Sequence, residues 1–255
     1  MTDDPPRQTL KSVEQAFDVI ETLQEMNGCG VTEMANQLGI PKSTAHIYLS
    51  TLERKGYLVK EDDVYQLSLR FLNLGEYTKR MQELSAVIDP PLENLAESSH
   101  GTAICGVEQH GLLTVLASKR EEQTPPESFP VGAHWYLHSN ASGKAILSQY
   151  SISRVDAIVD KWGLSSVAPN TIESRDALLE ELDETRSRGY AINDEESMAG
   201  VGGIGVPLVK DDGQCFGSIS ISGPKNNVLK DKLREEHIDL IERAANTVEV
   251  NLTWE

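Results

Sequence analysis

The chain has 255 residues, 40 Asp+Glu against 23 Lys+Arg, a formal charge of −17 and 39% apolar residues, the composition of a soluble globular protein of one or two domains. No apolar run approaches the roughly 18 residues of a membrane helix, and MTDDPPRQTL has neither the basic start nor the apolar stretch of a signal peptide, so a cytoplasmic, membrane-free protein is expected. Cys29, Cys105 and Cys215 are too scattered for a disulfide framework or a zinc site, and no metal or cofactor is expected.

From Ser12 the spacing predicts a helix: Ser12 and Gln15 make a capping box, and Val13, Ala16, Phe17, Ile20 and Leu23 recur at helical intervals until Asn27-Gly28. A short second helix follows, with Thr32 as N-cap, Met34, Ala35 and Leu38 buried, and Gly39 at its end. Ile40-Pro41 opens a third, from about Lys42 to Lys55, stopped by Gly56. Tyr57-Leu58-Val59, the acidic turn Glu61-Asp62-Asp63 and Val64–Leu67 then read as a β-hairpin. The outline is that of a winged helix-turn-helix; a small helical subdomain has the same periodicity.

The third helix separates these readings. With Ala45, Leu49 and Leu52 inward, Ser43, Ile47, Ser50 and Arg54 face outward with Thr44 and Thr51 beside them, and hydroxyls and a guanidinium suit phosphates and base edges. A pI near 4.8 argues against holding nucleic acid by bulk charge, but residues 1–80 carry only 12 acidic against 9 basic residues. A lysine-poor, acidic chain is also what proteins of a very salty cytoplasm carry.

KSVEQAFDVIETL, VTEMANQLGIPKSTAHIYLSTLERKGY and YQLSLRFLNLG resemble the N-terminal domain of the IclR family of transcription regulators. The resemblance implies that Pro41–Tyr57 holds the recognition helix, with Lys42, Ser43, Thr44, His46, Ile47, Ser50 and Arg54 at the DNA, and that the hairpin is the wing. With the acidic surface, it implies a halophilic archaeal source. Ile47 departs from the Arg common in the family, and is either an ordinary exposed side chain or a probe for a thymine methyl group. The acidic wing departs in the same direction, away from phosphate gripping.

Between Arg70 and about Gln82, Phe71, Leu72, Leu74 and Met81 suggest a linker helix interrupted by Gly75, and a further helix spans about Ser85–Ser98 with Pro90-Pro91 near its start. Thr102–Val107, the turn Gln109-His110-Gly111 and Leu112–Ala117 form a hairpin, followed by an acidic, proline-rich loop, Glu121–Pro130. Helices are expected at about 141–149, 153–162 and 174–188, strands at 190–192, 204–209 and 215–222 around the Asp211-Asp212-Gly213 turn, and a final helix at about 230–250. This alternation is α+β and too irregular for a doubly wound parallel sheet.

The second part also resembles the IclR family, in an effector-binding domain of GAF-like fold, through LHSNASGKA (137–145), Thr171-Ile172, RGYAI (188–192), Asp194-Glu195-Glu196, Gly200-Val201 and ISISGP (219–224). The resemblance implies an effector pocket at Ala141, Ser142, Asn193, Asp194, Val201, Gly203, Ser220 and Ser222, the serines donating hydrogen bonds to a small metabolite, a carboxylate or a sugar-derived compound. Asn193 falls where some members have an acid and Gly203 where some have a larger polar residue. Read from the residues alone, Ser220 and Ser222 share one strand face, the Ala141–Gly143 turn opens a helix that can offer N–H groups to a carboxylate, and ordinary small strand residues would look the same.

Other motifs carry less. Gly200–Gly205 satisfies G-x-G-x-x-G, but Val206–Val209 after it reads as a strand rather than a phosphate-holding helix. Gly143-Lys144 lacks the first glycine and the Ser/Thr of a P-loop. His134 and His138 read as one extended strand face, a metal pair or a partly buried polar residue. Asn193–Glu196 is most simply a solvated helix start. No nucleophile elbow or triad is present.

The expected organisation is therefore a winged helix-turn-helix at 8–70, a linker helix at 71–84 and an effector-binding domain at 85–255. The expected function is that of a non-enzymatic, effector-controlled regulator of carbon-source catabolism genes, binding a double-stranded operator as a homodimer or dimer of dimers. The alternatives are a small-molecule enzyme on the GAF-like domain and a sensor that binds a protein instead of DNA.

Overall fold

A computed structural model describes residues 9–120 and 129–253, which divide into two compact units, one ending at Thr78 and the other beginning at Lys79. In the first, α1 (Lys11–Glu25), α2 (Val31–Leu38) and α3 (Lys42–Arg54) precede a hairpin of β1 (Leu58–Glu61) and β2 (Val64–Leu67), and α4 (Arg70–Arg80) leads out. Val19, Leu23, Met34, Ala35, Ala45, Leu49, Leu58 and Tyr65 form its core. The wing is anchored from the side, because Cys29 and Tyr65 exchange backbone hydrogen bonds of 3.1 and 2.9 Å. Gly28 makes that approach possible: its φ is +95°, and a Cβ there would lie 2.7 Å from Gln66 Cγ.

Two of the expected caps are corrected. Helix α1 starts at Lys11 after Leu10, with no side-chain cap, and Gln15 instead accepts a 2.8 Å hydrogen bond from the Tyr48 hydroxyl. Helix α2 starts after Gly30, whose N–H is bound by Glu33 Oε2 at 2.9 Å, so Thr32 lies inside the first turn. Both misreadings come from hydroxyls placed one or two residues inside the helix start.

The second unit is built on a six-stranded antiparallel sheet of order β5-β4-β3-β8-β7-β6. Its strands are β3 (Thr102–Gln109), β4 (Leu112–Arg120), β5 (His134–Tyr136), β6 (Ala191–Asp194), β7 (Val201–Val209) and β8 (Cys215–Pro224). Alternation along β7 and β8 sends Ile204, Val206, Leu208, Ile219 and Ile221 into the main core with α5 (Leu84–Val87), α6 (Asp89–Ser99), α10 (Lys225–Val228) and α11 (Asp231–Thr253). The opposite face carries Gly203, Gly205, Ser220 and Ser222 and is covered by α7 (Ala141–Ser148), outside which lie α8 (Ile152–Trp162) and α9 (Arg175–Arg188). This is an α+β fold with a helical layer on each side of one sheet.

Two further expectations are revised, and the strand read at the glycine-rich run is found. The strand at His134 ends at Tyr136 and a 3-10 turn, Leu137–Ser139, follows, so His134 and His138 do not share a strand face. His134 bonds Thr114 Oγ1 at 3.0 Å and His138, held below its ordinary pKa by burial, bonds the Ser165 carbonyl at 3.2 Å. Asn193–Glu196 is not a solvated helix start: Asn193 and Asp194 end β6, and Asn193 and Glu196 are buried. The glycine-rich run 201–205 lies wholly inside β7, where small residues admit α7. The loop Glu121–Pro130 falls outside the described residues except at Phe129 and Pro130.

Candidate DNA-reading helix and effector cavity

Helix α3 buries Ala45 and Leu49 and turns Lys42, Ser43, His46, Ile47 and Arg54 outward, with Thr44 and Ser50 half-buried at the edges. Between Ser43 and Leu52 there is no Lys, Arg, Asp or Glu, and cations return only at its ends, as Lys42, Arg54 and Lys55. The wing adds Lys60, but its ammonium sits 2.7 Å from Asp63 Oδ1, which holds the Lys60 pKa up and that of Asp63 down. At the C-terminal end of α3 the Arg70 guanidinium donates to the Lys55 carbonyl at 2.7 Å and lies 4.7 Å from the Tyr57 ring, tying the start of α4 to α3.

In the second unit Ala141, Ser142, Asn193, Gly203, Ser220 and Ser222 meet at one small cavity of about 20 Å³, room for about one water. Seven separate segments are needed to build it. Asn140 caps α7 by accepting from Gly143 N–H at 2.8 Å, and the helix start can descend onto the sheet because Gly205 has no Cβ: one there would lie 2.8 Å from the carbonyl of Ala141. Ser142 Oγ donates to Ser220 Oγ at 2.6 Å, whereas the buried Ser222 hydroxyl has no hydrogen-bond partner among the described residues. Ile104, Leu113, Phe129 and Ile221 complete the wall.

Asn193 shows the cavity little polarity, because its Oδ1 accepts from Glu196 N–H at 2.9 Å and its Nδ2 donates to Ser197 Oγ at 2.8 Å. Asp194 and Val201 lie outside the lining. Asp194 Oδ1 sits 2.5 Å from Lys225 Nζ, and Val201 opens β7 opposite Pro224.

Sequence reasoning passed over a buried charge cluster behind this wall. Lys144, in the second turn of α7, is 0% exposed, with its ammonium 2.6 Å from Glu196 Oε2 and 3.1 Å from Glu181 Oε1. Arg188 supports Glu181 from the other side at 2.8 Å. Burial pushes the Glu196 carboxyl above its ordinary value and Lys144 pulls it back. The available signal was the lysine itself: in a helix whose neighbours are Ala145, Ile146 and Leu147, it needed buried carboxylates as partners.

Residues 76–250 match the family described as the bacterial transcriptional regulator IclR C-terminal domain, and residues 12–62 match the IclR helix-turn-helix domain. The HTH-type regulator ArcR of Halobacterium salinarum is 29% identical over 95% of this chain and 94% of its own length. The transcriptional repressor IclR of Escherichia coli is 29% identical over 91% of this chain and 86% of its own. An IclR homologue of Microbacterium hydrocarbonoxydans, solved with 4-hydroxybenzoate, shares the fold with a TM-score of 0.76 at 21% identity, over 89% of this chain and 92% of that one. These relatives are named for the control of transcription rather than for catalysis, and the enzyme alternative gains no support from them. The chain belongs to the IclR family, regulators in which a helix-turn-helix domain binds DNA and the C-terminal domain binds an effector.

Proposed function

We propose that this chain acts in the cytoplasm as a homodimer, or a dimer of such dimers, whose paired α3 helices read a palindromic operator beside genes of carbon-source breakdown. Lys42, Ser43, Thr44, His46, Ile47, Ser50 and Arg54 are the contacting residues. One recognition helix reads too few base pairs to select a genomic site, and a two-fold protein matches a palindrome.

The effector enters the cavity under α7, and the observation that carries this reading is the Ser222 hydroxyl, buried without a partner among the described residues beside the Ser142–Ser220 pair. Buried hydroxyls are ordinarily satisfied. Hydroxyl donors with the first N–H groups of α7 suit a small carboxylate or a sugar-derived compound, and a fold relative carries 4-hydroxybenzoate. A cavity of about 20 Å³ holds no such molecule as it stands. The effector therefore favours a second arrangement, and its differential affinity for the two is what shifts operator binding.

Two variants test the halves separately. Genome-wide occupancy of the tagged protein in molar cytoplasmic salt should show discrete palindromic sites that vanish with Ser43→Ala/Arg54→Ala; an absence of sites under every growth condition would favour the protein-binding sensor. Ser220→Ala with Ser222→Ala should keep those sites and lose their response to carbon source, and an unchanged response would remove the cavity from the mechanism.

A further inference from the structure

We propose that Ile47 is a specificity residue that reads the methyl group of a thymine in the major groove, and that operator binding consequently depends only weakly on salt. The inference rests on α3 being the DNA-contacting helix and goes beyond it by assigning one base type to one side chain.

Ile47 is 62% exposed on the face of α3 opposite buried Ala45 and Leu49. A single exposed aliphatic side chain is unremarkable; its surroundings make it a candidate reader. The Ser50 hydroxyl is turned back onto the Ile47 carbonyl at 3.2 Å, so the side chain one turn away does not compete with Ile47 for a base edge. No formal charge lies on α3 between Lys42 and Glu53. On the wing, Lys60 is engaged by Asp63, and Glu61 and Asp62 stand beside it, while Val59 and Val64 are exposed. The reading surface is thus polar or aliphatic at its centre and acidic at the wing.

Such a surface draws less of its affinity from phosphates than a basic one, because the cations of α3 are confined to its ends, at Lys42, Arg54 and Lys55. Each phosphate contact contributes through counterion release, a contribution that shrinks as salt rises, and a chain of charge −17 repels DNA at long range. Among the groups that the major groove presents, the thymine C5 methyl is the one an aliphatic side chain recognises, and the contact is insensitive to salt because it is apolar. Ile47 has no hydrogen-bonding group with which to select guanine or adenine.

The test uses the full chain in molar potassium chloride. Sites are selected from a random duplex library, and each thymine of the selected site is replaced in turn by deoxyuridine, which lacks only the methyl group. One thymine per half-site should weaken wild-type binding about three- to fivefold on replacement, the effect of withdrawing one methyl from an apolar contact. Ile47→Ala should bind the two duplexes equally. Ile47→Arg should change the selected base at that position to guanine and steepen the salt dependence. A selected site at which no deoxyuridine separates wild type from Ile47→Ala overturns the inference while leaving DNA binding intact; selection of no site at all overturns DNA binding itself.

Discussion

Replacing Lys144 by methionine isolates the buried ion cluster behind the cavity, because methionine keeps most of the volume of the lysine stem and removes only the ammonium. Glu181 keeps Arg188 at 2.8 Å, but Glu196 loses the charge that stood 2.6 Å away and stays buried. Breaking a buried pair in this way costs about 3–5 kcal/mol, which for the unit beginning at Lys79 is a fall of about 10 °C in its melting transition. Salt should not rescue it, since screening reaches buried pairs poorly. The pH dependence has a definite sign. The Glu196 pKa is already raised in the folded state by burial, against the pull of Lys144, and without Lys144 it rises further. A raised carboxyl favours the folded state fully only below its unfolded value of about 4.3 and loses that contribution as pH climbs through the folded value. The deficit against wild type is therefore largest near neutrality and shrinks on acidification, and Glu196→Gln in the same chain should recover much of it. Calorimetry between about pH 5 and 8 measures this. A variant that melts within about 2 °C of wild type at neutral pH, or a deficit independent of pH, refutes the reasoning.

Other outcomes follow from geometry. Gly205→Val would place a Cβ 2.8 Å from backbone atoms of Ala141, and since backbone cannot step aside as a side chain can, a loss of at least about 2 kcal/mol is expected in a thermal melt. In the wing, Asp62 and Asp63 occupy positive φ of 46° and 65°, the backbone of a two-residue turn that prefers Asn-Gly. Asp62→Asn/Asp63→Gly should keep the hairpin, release Lys60, tighten binding to nonspecific duplex at low salt and steepen its salt dependence, as read by fluorescence anisotropy.

The helix-turn-helix was legible in sequence because each of its parts is locally determined. Ala45 and Leu49 return at helical spacing, Gly39 and Gly56 take the positive φ that ends α2 and α3, and Tyr57-Leu58-Val59 and Val64–Leu67 flank an acidic turn. What failed there failed by one or two residues, at caps where Ser12 and Thr32 look like signals. The second unit was harder to read because its decisive contacts are distant in sequence. Asn193 and Glu196 resemble the start of a surface helix by composition, yet the Asn193 amide closes a turn onto Glu196 and Ser197, and Lys144, 52 residues away, neutralises the acid. Asn140, which caps α7 and lines the cavity, could have been found from the asparagine three residues before Gly143 at a helix start.

The Lys144–Glu196 pairing also bears on which wall of the cavity would give way to the effector proposed above. Ser220 and Ser222 lie on β8, which is paired along both edges, with β3 and with β7, so displacing that wall would break two ladders of backbone hydrogen bonds. The opposite wall, the start of α7 and the Asn193–Ser197 turn, is held along one edge only, by the pairing of Asn193 and Asp194 with β7 and the Glu195 N–H to the Val201 carbonyl, and otherwise by side chains: Asn140 at the helix start, Thr171 on the Glu196 carbonyl at 2.7 Å, and Lys144 joining helix to turn. Where the cavity of about 20 Å³ enlarges at this wall, α7 and the turn separate by stretching the Lys144–Glu196 pair. If the effector enters here as proposed, the pair would set part of the free-energy difference between the closed and the effector-bound arrangement. Lys144→Met/Glu196→Gln, which removes both charges, should leave the closed state less favoured and lower the effector concentration needed to change operator binding, whereas an unchanged midpoint in that titration would place the moving wall elsewhere.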